Sequence, residues 1–161
     1  MKRAALFAAI ALTIASPALA QNAGQIARVR GGASCVGCNL FQADLSGVEA
    51  RGLNLSGARL RQASLSLATL NRARFSNADL RDVDAYGGVF SGASFSGANL
   101  TNSSWVGAYL EGASFAGATL NGANFSGARM TGATGLNQRQ LNTACGDAST
   151  RLPGRLTIPA C

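Results

Sequence analysis

The chain has 161 residues, with 14 Lys or Arg against 7 Asp or Glu and a formal net charge of +7. It contains no His, which removes the commonest general base and the commonest metal ligand. This length fits one domain, and after the N-terminal stretch no second long apolar segment follows.

Residues 1–20 read as a secretory signal. Lys2 and Arg3 supply the charged start, Ala4 to Ala15 is apolar, and Ala18-Leu19-Ala20 fits the small-x-small cleavage rule. The apolar run is too short for a membrane span. No Cys follows the cleavage site, which argues against a lipoprotein. Cleavage would leave a chain starting at Gln21 whose 12 basic residues are all Arg, against 7 acidic ones, a net charge of about +5. Residues 21–32 form a lead-in. The expected location is the bacterial periplasm or the outside of the cell.

Residues 33–135 keep one five-residue frame without insertion or deletion from Cys38 onward. A large apolar centre falls on the multiples of five. Leu holds 40, 45, 55, 60, 65, 70, 80, 100, 110 and 120, Phe holds 75, 90, 95, 115 and 125, and Trp105 and Met130 complete the set. Two residues before most centres stands Ala, and two after come Gly or Asn, which suit turns. This period matches neither the 3.6 of a helix nor the 2 of a long strand. A chain that points inward twice per five residues and then turns satisfies it, as a solenoid. Centres Ala50 and Ala85 are small, and the residues two before them are enlarged to Val48 and Val83, which conserves volume.

Ala43-Asp44-Leu45, Ala78-Asp79-Leu80 and Ala98-Asn99-Leu100 resemble the Ala-(Asp/Asn)-Leu-x-x pattern of pentapeptide-repeat proteins. The resemblance implies an all-β fold, a right-handed quadrilateral parallel β-helix with four pentapeptides per coil. The twenty centres from 40 to 135 would then make about five coils, roughly 24 Å tall at a strand spacing of ~4.8 Å. A Leu at Ala98 should overpack the narrow interior, costing roughly 1–3 kcal/mol.

With four pentapeptides per coil, residues twenty apart stack. Arg61 and Arg81 then share a column and form a candidate anion patch, although Asp79 and Asp82 stand ready to neutralise them. Arg59 stacks on Asp79. Tyr86 lies under Val106 and Val89 under Tyr109, with Leu67 one coil below Tyr86. None of the four occupies an inward position, so they form a candidate partner patch.

Residues 136–161 read as a C-terminal cap, which a solenoid end needs. Asn137-Gln138-Arg139-Gln140 has a capping-box pattern and predicts a short helix through about Ala144. Beyond it, Pro153 and Pro159 favour extended or irregular chain. Four cysteines in an exported chain suggest two disulfides. Cys145 and Cys161 both lie in the tail and make one candidate pair. Cys35 and Cys38 fall on a centre and a small position, so both should face the first coil's interior. They could form a structural bond, remain buried thiols, or act as a redox pair, while metal binding would need further ligands.

No Ser-His-Asp set, evident carboxylate pair or phosphate loop emerges, so no catalytic residue and no cofactor is expected. The leading expectation is a non-enzymatic interaction or scaffold protein of the periplasm or envelope. Its partner would be another protein or an envelope component, with a homodimer open. Nucleic acid is not expected, since no aromatic stacking pattern accompanies the charge. The family resemblance also implies an alternative, a gyrase-binding DNA mimic of the quinolone-resistance type. Basic charge and an export signal depart from that type. A thiol oxidoreductase using Cys35 and Cys38 is the third alternative.

Overall fold

The computed structural model describes residues 22–161. Residues 1–20, expected to form a signal segment, and Gln21 lie outside the described residues. Every parallel bridge from Asn39↔Arg59 to Ser114↔Thr134 joins residues twenty apart, so one coil is four pentapeptides, as the stacked columns require.

The backbone bonding explains why five residues make one side. The N–H of centre Leu40 donates upward to Arg59 O at 2.8 Å, and Arg59 N–H donates down to Cys38 O at 2.8 Å. Ala43 N–H closes the corner onto Leu40 O at 3.0 Å, with Gln42 in the left-handed region at φ 54°. That is the geometry of a type II turn. Each repeat thus satisfies its polar backbone between the coils above and below.

Four outward columns define four faces, here named by a residue at the foot of each. The Asn39 face carries Asn39, Arg59, Asp79, Asn99 and Thr119, and the Asp44 face carries Asp44, Ser64, Asp84, Ser104 and Asn124. The Glu49 face carries Glu49, Thr69, Val89, Tyr109 and Arg129, and the Asn54 face carries Asn54, Arg74, Ser94, Ser114 and Thr134.

The interior is filled by apolar ladders. Leu40, Leu60, Leu80, Leu100 and Leu120 form one column of fully buried leucines. Phe75, Phe95 and Phe115 form another, their rings stacked at 5.2 Å between successive centroids. Phe90 and Trp105 pack edge-on at 5.2 Å, and Trp105 meets Phe95 edge-on at 5.0 Å. Val48 and Val83 are buried beside the small centres Ala50 and Ala85, as volume compensation requires.

The lead-in holds a helix that the sequence reading did not foresee, α1 (Ala23–Arg30). Asn22 caps it by accepting Gln25 N–H, and Arg28 and Arg30 sit in its last turn, where the dipole favours cations. Val29 enters the core and Ile26 packs against it. Gln25 Oε1 accepts Asn39 N–H at 2.7 Å and Arg30 donates to Asp44 O at 3.3 Å, so the helix satisfies part of the lowest coil's edge.

At the other end, α2 spans only Gln138–Leu141, with the expected capping box between Asn137 and Gln140. It stops short of Ala144 because the chain re-enters the ladder. Gly122 N–H donates to Thr143 O at 2.7 Å, and Cys145 bridges Asn124. Gln140 Nε2 donates to Phe115 O at 3.0 Å and Ala118 O at 2.9 Å, covering the exposed carbonyls of the last full coil. Arg151 then bridges Arg129, and Ala160 bridges Gly146, so the tail adds a final partial coil.

Candidate surface for partner contact

The described interior is filled by apolar side chains. Two open clefts exist among the best-formed hollows. One of about 490 Å³ is lined by Glu111, Gly127, Arg129, Thr131, Ser149 and Arg151. The other, about 420 Å³, lies between the last coil and α2 and includes Asn121, Asn137 and Arg139. Among the described residues no group of three or more His, Cys, Asp or Glu is placed to hold a metal ion, and no helix is long and apolar enough to cross a membrane.

The two arginines read as a candidate anion patch are each engaged by a carboxylate. Arg81 grips Asp79 through Nε at 2.7 Å and Nη2 at 2.6 Å, and Arg61 Nε meets Asp82 at 3.1 Å. The hydrogen bond from Arg81 holds the Asp79 carboxyl below the usual carboxylate range, and Asp79 raises Arg81 in turn. Asp79 therefore pairs with Arg81 two residues on, rather than with Arg59 beneath it. The column supplies no open anion seat, because the corner brings Asp79 and Asp82 to the same guanidiniums.

The apolar patch is present but uneven. Tyr86 is 56% exposed and Tyr109 39%, whereas Val89 and Val106 are half-buried. Val89 bridges Tyr109, and Gly87 N–H donates to Val106 O at 2.9 Å, so the expected stacking holds. Arg129 caps the column, its Cζ 5.1 Å from the Tyr109 ring centroid.

Leu67 is the larger feature, 64% exposed. Its N–H donates to Tyr86 O at 2.9 Å, which places it below Gly87 on the corner that Tyr86 shares. It also sits in the left-handed region at φ 59°, where its column otherwise holds Gly47, Gly87, Gly107 and Gly127. Arg72, at φ 58°, breaks the next corner's run of Gly52, Gly92, Gly112 and Gly132 in the same coil. Such a conformation costs a non-glycine residue roughly 1–2 kcal/mol. The signal was visible in the repeat frame as non-glycine residues in glycine columns, Asn77 being a third, but only the backbone shows the strain.

Cys35 and Cys38 face the first coil's interior as expected, 3% and 7% exposed, and are joined to each other with their Cα atoms 5.6 Å apart. Cys145 and Cys161 are likewise joined, Cα to Cα 4.9 Å. A redox exchange needs an accessible sulfur for attack, which burial of the first pair disfavours.

None of the curated proteins matches the chain. Among solved structures, a pentapeptide-repeat protein of the Arabidopsis thaliana thylakoid lumen is 27% identical, with a TM-score of 0.49 over 63% of this chain and 68% of that one. HetL, a pentapeptide-repeat protein involved in heterocyst differentiation regulation in the cyanobacterium Nostoc, is 24% identical, with a TM-score of 0.43 over 81% of this chain and 64% of that one. QnrB1, a plasmid-mediated fluoroquinolone resistance protein, is 21% identical, with a TM-score of 0.23 over 70% of this chain and 81% of that one. The family model described as pentapeptide repeats matches 8 copies over residues 33–72, 54–92 and 93–132. With most of its length matched and its coils registered at four repeats each, the chain belongs to the pentapeptide-repeat family.

Proposed function

We propose that this chain is an exported, non-enzymatic interaction module of the bacterial cell envelope, wound right-handed as the family resemblance implies. The observation that carries the reading is an outer surface with Leu67, Tyr86 and Tyr109 exposed on successive coils over a filled interior. Contiguous apolar surface of this kind in a soluble domain marks a contact site. The N-terminal signal pattern and the two cysteine pairs fit an oxidising compartment.

Cell fractionation and mass measurement of the alkylated protein, with and without reductant, test export. A mature chain starting at Gln21, found outside the cytoplasm with both disulfides closed, is expected; an uncleaved cytoplasmic chain with four free thiols refutes it. Partner pull-down from envelope extracts with Tyr86→Ser/Tyr109→Ser tests the contact surface, and unchanged recovery would remove it.

A further inference from the structure

We propose that the Glu49 face, with the corners on either side of it, docks on an anionic phospholipid surface. This deepens the envelope reading and rests on it. One corner presents Leu67 and Tyr86, and the other presents Arg51 and Arg72. Arg72 N–H donates to Ser91 O at 2.9 Å and Gly52 N–H to Asn71 O at 2.8 Å, which sets Arg51 and Arg72 on adjacent coils of that corner. Arg74 continues the basic run two residues on, and Arg129 tops the face over Tyr109.

Charge favours this face over the Arg61–Arg81 column. The ion pairs among the described residues engage Arg30, Arg61 and Arg81 only. Arg51, Arg72, Arg74 and Arg129 are all exposed and outside them. The carboxylates nearby are Glu49 at the foot of the face, Glu111, which accepts from Ser91 Oγ at 3.3 Å, and Asp84 on the adjoining Asp44 face, which accepts Tyr86 N–H at 3.1 Å. With Arg74 on the adjoining Asn54 face and Asp84 on the adjoining Asp44 face included, four guanidiniums stand against three carboxylates.

The mixture of groups favours lipid over a soluble polyanion. Aliphatic and tyrosine side chains beside arginines match the boundary of a bilayer, where apolar atoms enter between headgroups and cations meet phosphate. A dissolved polyanion would have no use for Leu67. The backbone adds an independent argument. Leu67 and Arg72 are retained in left-handed corners whose columns are otherwise glycine, and both flank the same face in the same coil. Non-glycine residues also take the left-handed region at Gln42, Gln62, Asn77, Asp82 and Asn102 on other corners, but among them all Leu67 alone carries an aliphatic side chain, and it does so beside this face. The side chain of Leu67 reaches up the corner, its Cδ2 3.0 Å from where a Cβ on Gly87 would lie.

Vesicle co-sedimentation of the mature chain tests this, with phosphatidylglycerol–phosphatidylcholine vesicles against pure phosphatidylcholine, in rising NaCl. Binding only to the anionic vesicles, falling with salt, is expected. Arg51→Gln/Arg72→Gly should weaken it on the order of 20-fold, and Leu67→Gly should weaken it further. Both glycine changes relax a strained corner, so the variants should melt at or above the wild-type temperature; lost binding is then not lost folding. Arg59→Gln removes one charge from the opposite face and should leave binding within about two-fold by the same reasoning. No sedimentation with anionic vesicles overturns the proposal, as does binding that Arg59→Gln weakens as much as the face variants. Equal affinity for dextran sulfate, insensitive to Leu67→Gly, also overturns it in favour of a polyanion. If vesicles fail while an envelope protein is still pulled down through Tyr86 and Tyr109, the lipid assignment falls and the interaction-module reading stands.

Discussion

The indole Nε1–H of Trp105 donates to Ser103 Oγ at 2.7 Å, and Ser103 Oγ donates in turn to Leu100 O at 2.6 Å, wholly inside the coil. Ser103 is the buried polar residue of the described core and occupies a small position that Ala holds in most repeats. The coil admits a tryptophan because one Ala has become a hydroxyl acceptor. Ser103→Ala should therefore destabilise the protein by about 1–3 kcal/mol, since a buried donor loses its partner. Chemical denaturation checks this, and Trp105→Phe should make the same Ser103→Ala change nearly neutral.

Phe90 and Gly88 are coupled sterically. A Cβ on Gly88 would lie 2.5 Å from Phe90 Cε2 and 3.2 Å from Leu65 O, so the ring occupies the space that Ala takes elsewhere. Gly88→Ala should cost roughly 1–3 kcal/mol by overpacking. Adding Phe90→Leu should recover much of that loss, which denaturation of the double variant measures.

The tail disulfide should contribute more than the first-coil one. Cys145 and Cys161 close a segment of separation 16 and hold the last partial coil, whereas Cys35 and Cys38 are only 3 apart. Loop entropy assigns about 3 kcal/mol to a closure of the longer size and less to the shorter. Thermal melts should show a clear loss for Cys145→Ser/Cys161→Ser and a smaller one for Cys35→Ala/Cys38→Ala.

Asp147 gives the cap an acid-sensitive fastening. Hydrogen bonds from the Ser149 side chain, then from Gly127 N–H, lower its carboxyl to about 2 from an ordinary 3.8. A depressed folded value stabilises above the unfolded one, and that share is lost as pH falls through about 2. The contribution of this group is therefore complete and constant near neutral pH, and melting temperature should decline between about pH 4 and pH 2. Asp147→Asn should show a flatter profile in that window.

Much of the fold is legible because the period is rigid. Leu40 through Leu120 announce a stacked column by spacing alone, and Val48 with Ala50 shows that the coil conserves volume when its usual order is reversed. Helix α1 escapes a sequence reading because it is short and weakly apolar; Val29 reveals its role only when it meets the core. The end of α2 escapes for a different reason. Thr143 and Cys145 find better partners in Gly122 and Asn124 than a further helical turn would give them. On the surface, the columns place Tyr86 under Val106 and Val89 under Tyr109, but column position cannot say which arginine a carboxylate chooses. Asp79 turns to Arg81 across a corner rather than to Arg59 below it, which leaves Arg59 outside the ion pairs along with Arg51, Arg72 and Arg74.

Site-specific photocrosslinking in living cells tests the interaction-module account most directly. A crosslinking residue replacing Tyr86 is compared with one replacing Thr119, exposed on the opposite face. The account predicts envelope adducts, protein or lipid, at position 86 and none at 119. Adducts at both positions alike, or at neither in cells that export the chain, would contradict it.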